Sequence, residues 1–254
     1  MSDEDSYKIF NKYFSVFSFD SLPVNAEVFD MGCGTGRWAK WVAPKVGILH
    51  CIDPSESINI AKRNLKKQNN IIFHNTSVDS SGLKNNSQDF GYSLGVLHHV
   101  PNTLEAITSC VDLLKPGAPL LLYLYYAFDN RPLWFKAIWK ISDFVRKIIS
   151  KLPSILKNII TDIIAIILYF PLARISATLE KLGFEVSNIP LSFYRNHTFY
   201  TMRTDARDRF GTPLEKRFTR EQILEMMKSA GLTNIKFSSQ SPFWCVIGYK
   251  LKNK

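Results

Sequence analysis

The chain has 254 residues, of which 46% are hydrophobic and 21% are charged. Both fractions lie near the average for globular proteins, so they exclude a disordered chain, a collagen-like repeat and a long coiled coil. Lysine and arginine number 32 against 22 aspartates and glutamates, a formal net charge of +10. This excess attracts polyanions such as nucleic acid, anionic lipid headgroups or phosphorylated substrates, and it does not choose among them.

The cysteines and the first residues bear on the compartment and on metals. The four cysteines have no CxxC spacing and no clustered histidines, so we expect neither a zinc site nor a disulfide framework. The first ten residues are acidic and lack the basic and then apolar order of a signal peptide. We therefore expect a cytoplasmic protein.

Short apolar runs alternate with helical patterns from Ala26 to about Tyr126, as in successive βα units. Five strands connected in this way predict a doubly wound parallel sheet. The predicted strands are Val28–Met31, Gly47–Ile52, Ile71–His74, Phe90–Leu94 and Pro119–Tyr125.

The C-terminal part of the chain completes this sheet. Arg220–Ala230 has the apolar spacing of a helix, with Thr219 as its N-cap and Gly231 just past its end. Two apolar runs, Ile235–Phe237 and Phe243–Tyr249, predict an antiparallel hairpin. The expected fold is therefore α/β, a doubly wound Rossmann-like sheet of seven strands with the last strand antiparallel, formed by residues 1–126 and 218–254.

Residues 127–217 break this pattern and predict a largely helical insertion after the fifth strand. From Trp134 to Lys151 apolar residues recur every three or four positions and basic residues occupy the other side, as in a basic amphipathic helix. Nine basic and three acidic residues lie between Arg131 and Lys181. The most apolar run, Ile163–Ala173, is well short of the ~20 residues that span a bilayer, so we expect no membrane span.

A glycine-rich turn after the first strand is the strongest functional signal. Val28–Gly36 reads VFDMGCGTG, an apolar strand that ends at Asp30 and runs into three glycines, which allow close approach of a ligand. The G-x-G-x-G spacing differs from the G-x-G-x-x-G of dinucleotide-binding folds, and the carboxylate would repel a pyrophosphate but attract a cationic ligand. The motif resembles motif I of class I S-adenosylmethionine-dependent methyltransferases.

Further motifs follow in the order and spacing of that family. Asp53 ends the second strand about twenty residues after the glycines, where a carboxylate would accept both hydroxyls of a ribose. Asp79 follows the third strand, where family members place an acid against the adenine amino group. Asp89–Pro101 resembles the fourth-strand motif, and Leu113–Gly117 resembles the turn before the fifth strand.

The resemblance implies S-adenosylmethionine as cofactor, as in the small-molecule methyltransferases of ubiquinone and menaquinone biosynthesis. It implies no metal, because magnesium-dependent relatives have acids where this chain has Gly95 and His98. It covers about Ala26–Tyr126 well and the insertion not at all. The implied cofactor-binding residues are Asp30, Gly32, Cys33, Gly34, Gly36, Asp53, Pro54, Val78, Asp79, Gly95, Val96 and Leu97.

Two groups of residues are candidates for the chemistry and for the acceptor. His98 and His99 are candidate catalytic residues, since a histidine can act as general base near neutral pH; alternatively they only shape the donor pocket. Aromatic and basic residues interleave from Ser192 to Arg203, which suits an acceptor with apolar and anionic or hydroxylated parts, although a solvated loop has the same composition. The candidate substrate-binding residues are Tyr126, Tyr194, Arg195, His197 and Tyr200.

The leading hypothesis is a methyltransferase that uses in-line displacement on a small-molecule or lipid-linked acceptor, positioned under a hydrophobic lid formed by the insertion. The basic amphipathic helix adds the expectation of a peripheral contact with the inner membrane surface. An RNA methyltransferase is the first alternative, but nucleic acid is not the expected partner, because base-methylation motifs and an RNA-binding module are missing from the sequence. A non-catalytic regulator that binds the donor is the second. The acceptor atom stays open.

Overall fold

The computed structural model describes residues 3–129, 131–240 and 244–252. The chain divides into a sheet unit, Met1–Ala127 with Lys216–Lys254, and a helical unit, Phe128–Glu215. The boundaries expected from the sequence, after residue 126 and before residue 218, differ from these by about one and two residues. The α-helices in chain order are α1 Asp3–Tyr13, α2 Ala39–Val42, α3 Ser57–Asn64, α4 Thr103–Leu113, α5 Leu133–Ile149, α6 Ser154–Ile164, α7 Phe170–Lys181, α8 Phe199–Gly211 and α9 Arg220–Ser229.

The described part of the sheet unit has seven strands, which are β1 Glu27–Met31, β2 Ile48–Ile52, β3 Ile71–His74, β4 Phe90–Leu94, β5 Pro119–Tyr123, β6 Leu232–Phe237 and β7 Cys245–Lys250. They form one sheet in the order β3-β2-β1-β4-β5-β7-β6. The pairs among β1 to β5 are parallel, and β7 is antiparallel to both β5 and β6. This arrangement confirms the predicted fold class.

Some strand boundaries differ from the sequence-based ones. β5 ends at Tyr123, two residues before the predicted end, where its last antiparallel partner is Cys245. β6 begins at Leu232, directly after Gly231, whose φ is +86°, and thus earlier than the predicted start at Ile235. The polar residues in the first half of β6 do not have the apolar pattern that predicts a strand. Phe243, the first residue of the predicted last strand, lies outside the described residues.

The connection between β3 and β4 departs from the expected βα alternation. It contains the 3-10 turn Val78–Ser80, and no α-helix occurs in this fully described segment. Its many serines, asparagines and a glycine favour turns over helices. The expected alternation is wrong here, and Asp79 consequently lies on a short exposed turn.

The sequence did not predict α1, whose aromatic side chains join the core beside β4. Phe10 and Phe14 are buried, with ring centroids 4.4 Å apart, and the Phe14 ring meets that of Tyr92 edge-on at 5.4 Å. The predicted N-cap of the C-terminal helix is present, because Thr219 and Gln222 form a capping box at the start of α9.

The helical unit contains a continuous helix that was also not expected. α6, the π-helical turn Ala165–Tyr169 and α7 run together over Ser154–Lys181, 28 residues in all. In the described chain this is the helix that is long and apolar enough to cross a membrane by length and composition. The predicted short run Ile163–Ala173 is only part of it, so the length argument against a span is wrong.

Two charged side chains of this helix, Asp162 and Arg174, have partners inside the helical unit. Asp162 accepts two hydrogen bonds from Arg203 and two from Arg207 on α8, at 2.8 to 2.9 Å. Arg174 donates to the backbone carbonyls of Arg195 and His197, each at 3.0 Å. The same side of the helix contributes to a small core whose buried members are Ile149, Ala165, Tyr169, Ala173, Met202, Ala206 and Phe210.

Candidate active site

The carboxyl ends of β2, β1 and β4 are adjacent, because β1 lies between the other two strands. In open parallel sheets, ligands bind at this edge where the strand order reverses. The glycine turn follows β1, Asp53 follows β2 and Gly95 follows β4. The sheet therefore brings together three of the motifs singled out in the sequence.

The glycines of the turn have different roles. All three have positive φ, at +82° for Gly32, +53° for Gly34 and +81° for Gly36. A Cβ on Gly32 would lie 2.4 Å from a methyl group of Val96, and one on Gly36 would lie 2.6 Å from a methyl group of Leu65. A Cβ on Gly34 would meet no atom within 4 Å. Packing thus requires two of the glycines, while the open space at Gly34 is where a ligand can reach the backbone.

Asp30 is buried near the carboxyl end of β1, just before the glycine turn in the chain. Its carboxylate accepts a 3.0 Å hydrogen bond from the hydroxyl of Tyr92, its register partner on β4. Burial raises the pKa of Asp30 to about 8, while the Tyr92 hydrogen bond lowers this pKa and the charge of Asp53 raises it. Sequence reasoning missed Tyr92, because a tyrosine in an apolar strand looks like an ordinary core residue.

Asp53 connects the end of β2 to the glycine turn. One carboxylate oxygen accepts a 2.8 Å hydrogen bond from the Gly34 amide. The other accepts from the amide and the hydroxyl of Ser55, at 2.9 and 2.5 Å. Ser55 takes both lone pairs of this second oxygen, whereas the oxygen bonded to Gly34 keeps one lone pair that can still accept from a ligand hydroxyl. The expectation that the carboxylate accepts both ribose hydroxyls is therefore met for one of its oxygens only.

The remaining predicted cofactor residues have varied environments. The carboxylate of Asp79 accepts from the Ser77 hydroxyl, which holds the pKa of Asp79 below its usual value. Pro54 is exposed, Cys33 is buried and Val78 is half-buried. Gly95 has a φ of +79° and donates its amide to the Tyr123 carbonyl at 2.9 Å. Leu97 is buried in the core of the sheet unit, so only its backbone is placed to meet a ligand.

The two candidate catalytic histidines differ in environment. The His98 side chain is fully buried, and neither ring nitrogen has a hydrogen-bond partner among the described residues. Burial lowers the pKa of His98 to about 2, with smaller lowering by His99 and Arg217. A neutral imidazole with so low a pKa is a poor proton acceptor at pH 7. His99, half-buried with its ring centroid 4.0 Å from that of His98, is the better candidate.

Two further residues at this edge were not found from the sequence. The Tyr125 ring stacks on His98 with centroids 3.8 Å apart, and the Arg217 guanidinium lies 5.0 Å from the centre of the Tyr125 ring. Arg217 enters from the segment before α9, far from β4 and β5 in sequence, so no local pattern connects it to them. These residues place a positive charge and an aromatic wall beside the histidines.

The predicted substrate-binding residues fall in both units. Tyr126 lies after β5 in the sheet unit and forms an isolated bridge with Phe218. The other four lie in the helical unit. Arg195 donates to Glu180 at 2.8 Å, the His197 ring lies 4.7 Å from that of Phe193, and Tyr200 is 72% exposed. Tyr194 packs on Tyr169 with ring centroids 5.2 Å apart.

The residues that the structure describes contain no group of three or more His, Cys, Asp or Glu side chains that could hold a metal ion. The four cysteines are free thiols and all are buried.

Comparison with known proteins supports the interpretation of the sheet unit. Residues 29–122 match the family model described as "Methyltransferase domain". A ubiquinone biosynthesis O-methyltransferase from Coxiella burnetii is 30% identical over 95 residues, which cover 37% of this chain and 41% of that protein. The chain thus aligns with about two fifths of the length of such curated relatives.

Solved structures share the fold at low sequence identity. The CurJ carbon methyltransferase covers 99% of this chain and 56% of its own, with a TM-score of 0.55 and 14% identity. A Haemonchus contortus phosphoethanolamine N-methyltransferase 2 covers 95% of this chain and 39% of its own, with a TM-score of 0.51 and 15% identity. These similarities concern the fold alone.

The seven strands, with β7 reversed, form the fold that this chain shares with those solved methyltransferases. The family match falls on the same strands and on the glycine turn. Over residues 29–122 this chain is thus similar to the methyltransferase domain family, as the resemblance of its motifs predicted.

Proposed function

We propose that the chain is an S-adenosylmethionine-dependent methyltransferase acting on a small-molecule or lipid-linked acceptor. The observation that carries the proposal is the open space at Gly34, which lies beside the Asp53 carboxylate at the carboxyl edge of the sheet. The Haemonchus contortus enzyme of the same fold was solved with S-adenosylhomocysteine, the demethylated form of the proposed donor. The named relative from Coxiella burnetii is an O-methyltransferase.

The residues present fit this donor. Asp53 keeps a free lone pair for a ribose hydroxyl on the oxygen bonded to Gly34, and Asp79 is exposed on its turn for the adenine amino group. Asp30, which is buried with a pKa raised to about 8, offers a carboxylate to the positively charged end of the donor once it has released its proton. Bound there, the donor supplies a methyl group on a positively charged sulfur, which needs no further activation. The chain then has to align the acceptor, exclude water and take up a proton, for which His99 is the candidate.

The acceptor is proposed to bind through Tyr126 and through Tyr194, Arg195, His197 and Tyr200, with the helical unit as its lid. The support is chain order, because the helical unit is inserted after β5, next to the proposed reaction centre in sequence. We further propose that the protein is cytoplasmic and that the helical unit makes a peripheral membrane contact.

The test is turnover with donor labelled on its methyl group. We expect purified protein to bind the donor in calorimetry, and to transfer the label to a small molecule or lipid in a cell extract, identified by its mass. Label found in RNA instead would overturn the acceptor class. Donor binding without transfer to any fraction would support the non-catalytic alternative.

A shortened chain tests the role of the helical unit. Ala127 donates its amide to the Phe218 carbonyl, and Phe218 donates to Tyr125, both at 2.9 Å, so the chain leaves and re-enters the sheet unit at neighbouring positions. Replacing residues 128–215 by a short glycine-serine linker should spare donor binding and abolish transfer. Full turnover by this variant would refute the lid.

A further inference from the structure

The helical unit exposes two stripes of large apolar side chains. On α5 the stripe consists of Trp134, Ile138, Ile141, Val145 and Ile148. Residues three and four positions apart lie on one helix face, so these five side chains are contiguous. Ile141, in the middle, is 66% exposed, as is the neighbouring Phe144.

The second stripe follows the continuous helix α6–α7. It consists of Ile155, Ile159, Ile163, Ile166 and Phe170, all exposed and spaced by three or four residues. Monomeric soluble proteins rarely expose contiguous apolar surface beyond a few hundred Å² unless it is an interaction site. We call the two stripes together the exposed apolar face.

Basic side chains accompany this face. Lys136, Lys140 and Lys147 follow one side of α5 at spacings of four and seven residues, and Lys151 follows its end. The acids of the same segment are engaged by basic partners, Asp143 by Arg146 and Lys147, and Glu180 by Arg195. The charge offered to a partner is therefore positive, which complements an anionic surface.

The side of α6–α7 that packs on α8 determines whether this helix can cross a membrane. Asp162 holds Arg203 and Arg207 of α8 in bidentate pairs. α8 also carries Asp205, Asp208 and Arg209. If α6–α7 crossed the bilayer in this packing, these charges of α8 would enter the hydrocarbon with it, which is costly for each of them. A helix that is apolar on one side and tied to a charged helix on the other lies in the membrane interface instead.

The lysines also argue against a second copy of this chain as the partner. An apolar face shared by two copies would bring like-charged lysine rows towards each other, which disfavours association. An anionic bilayer satisfies both the apolar side chains and the lysines.

We propose that the exposed apolar face and the α5 lysines dock the chain on an anionic lipid bilayer, with α5 and α6–α7 parallel to the surface and neither crossing it. This proposal specifies the membrane contact named under the proposed function. It rests on that function only where it implies that the acceptor is bound at the same membrane surface.

The experiment measures vesicle binding by the full chain. Phosphatidylcholine vesicles with and without phosphatidylglycerol are compared at low and high salt. We expect binding that requires the anionic lipid and weakens with salt. The double variant Ile141→Asp, Phe144→Asp should lose binding, while Val24→Asp, at a 93% exposed residue of the sheet unit, should bind like the wild type.

A second pair of variants tests the charge. The double variant Lys140→Glu, Lys151→Glu should bind at least about 25-fold more weakly, since each lysine near an anionic surface is worth roughly fivefold. Lys62→Glu, Lys67→Glu makes the same charge change at exposed positions at and just beyond the end of α3 and should have a much smaller effect.

Several outcomes would overturn the proposal. Equal binding by all variants, or no vesicle binding by the wild type, would contradict the docking surface. If the protein bound to cell membranes resisted alkaline carbonate extraction, a helix would span the bilayer. If the wild type were a dimer that Ile141→Asp, Phe144→Asp dissociates, the apolar face would bind a second copy. Donor calorimetry on the same proteins separates this proposal from the proposed function. If the wild type does not bind the donor, the proposed methyltransferase function is refuted, whether or not the protein binds vesicles.

Discussion

The hydroxyl of Tyr92 donates a 3.0 Å hydrogen bond to the Asp30 carboxylate across the pair β4–β1, and both side chains are buried. Burial raises the pKa of Asp30 to about 8. Below that pH the carboxyl is mostly protonated in the free protein. A cationic donor favours the charged carboxylate, so Asp30 couples donor binding to release of a proton.

Donor affinity should therefore rise with pH up to about 8, by as much as tenfold per unit, and then level off. Calorimetry in buffers of different ionisation enthalpy measures the proton release. Asp30→Asn should flatten the profile, and Tyr92→Phe, which removes the bond that lowers this pKa, should move the profile to higher pH. An unchanged profile in Asp30→Asn would contradict the assignment.

The same group affects stability. Because the pKa is raised from its usual 3.8 to about 8, the unfolded chain loses this proton first as pH rises. The contribution of Asp30 to the free energy of unfolding is present below about pH 4 and is lost as pH rises to about 8.

Asp53→Ala should weaken donor binding at least about tenfold, because a charge-assisted hydrogen bond of ~1.5–3 kcal/mol to the ribose is lost. Calorimetry is the measurement. Ser55→Ala is the matched control. It removes the 2.5 Å bond that the serine hydroxyl donates to Asp53 and the 3.2 Å bond that this hydroxyl accepts from the Ser57 amide, and it leaves the carboxylate in place. If folded Asp53→Ala bound the donor normally, the ribose role of Asp53 would be refuted.

The glycine turn predicts two different phenotypes. Gly34→Ala should fold, with a strain of about 1–2 kcal/mol from its positive φ. It should lose donor binding, because the added Cβ occupies the open space in which we propose that the donor lies. Gly32→Ala should be much less stable, since its Cβ would collide with Val96 at 2.4 Å. Thermal unfolding and calorimetry distinguish the two. Normal donor binding by Gly34→Ala would contradict the placement of the donor.

His98 should stay neutral from pH 5 to pH 9, because burial lowers its pKa to about 2. The unfolded chain takes up this proton below about pH 6.5, so stability falls by about 1.4 kcal/mol per pH unit as the pH drops below that value. His98→Phe should reduce this acid sensitivity, measured by denaturant unfolding at pH 5 and 7. If NMR showed that the His98 ring takes up a proton near pH 6.5 in the folded protein, the prediction would be refuted.

Activity should survive EDTA. The described residues hold no group of three metal-ligating side chains. The resemblance also implies that Gly95 and His98 stand where magnesium-dependent methyltransferases carry acids. Initial rates with and without EDTA are the measurement, with added magnesium as the control. A loss that magnesium restores would show that metal is needed.

The sequence by itself determined the five parallel strands, the glycine turn and the acid after β2. These features depend on local physics, since apolar runs form buried strands and glycine is the residue that readily adopts the positive φ of this turn. The motifs occur at strand ends, and parallel strands bring those ends to one edge. The edge of the sheet that carries the candidate site could therefore be predicted from the sequence.

Only the tertiary structure decided which distant groups meet. Asp162 appeared to end an apolar run, but two arginines 41 and 45 residues further along the chain neutralise it and the helix continues. Tyr92 and Asp30 are 62 residues apart, and the burial that makes Asp30 hold its proton and His98 lose its own comes from packing around them. Desolvation depends on every neighbour in space, and a local pattern contains only the neighbours in sequence.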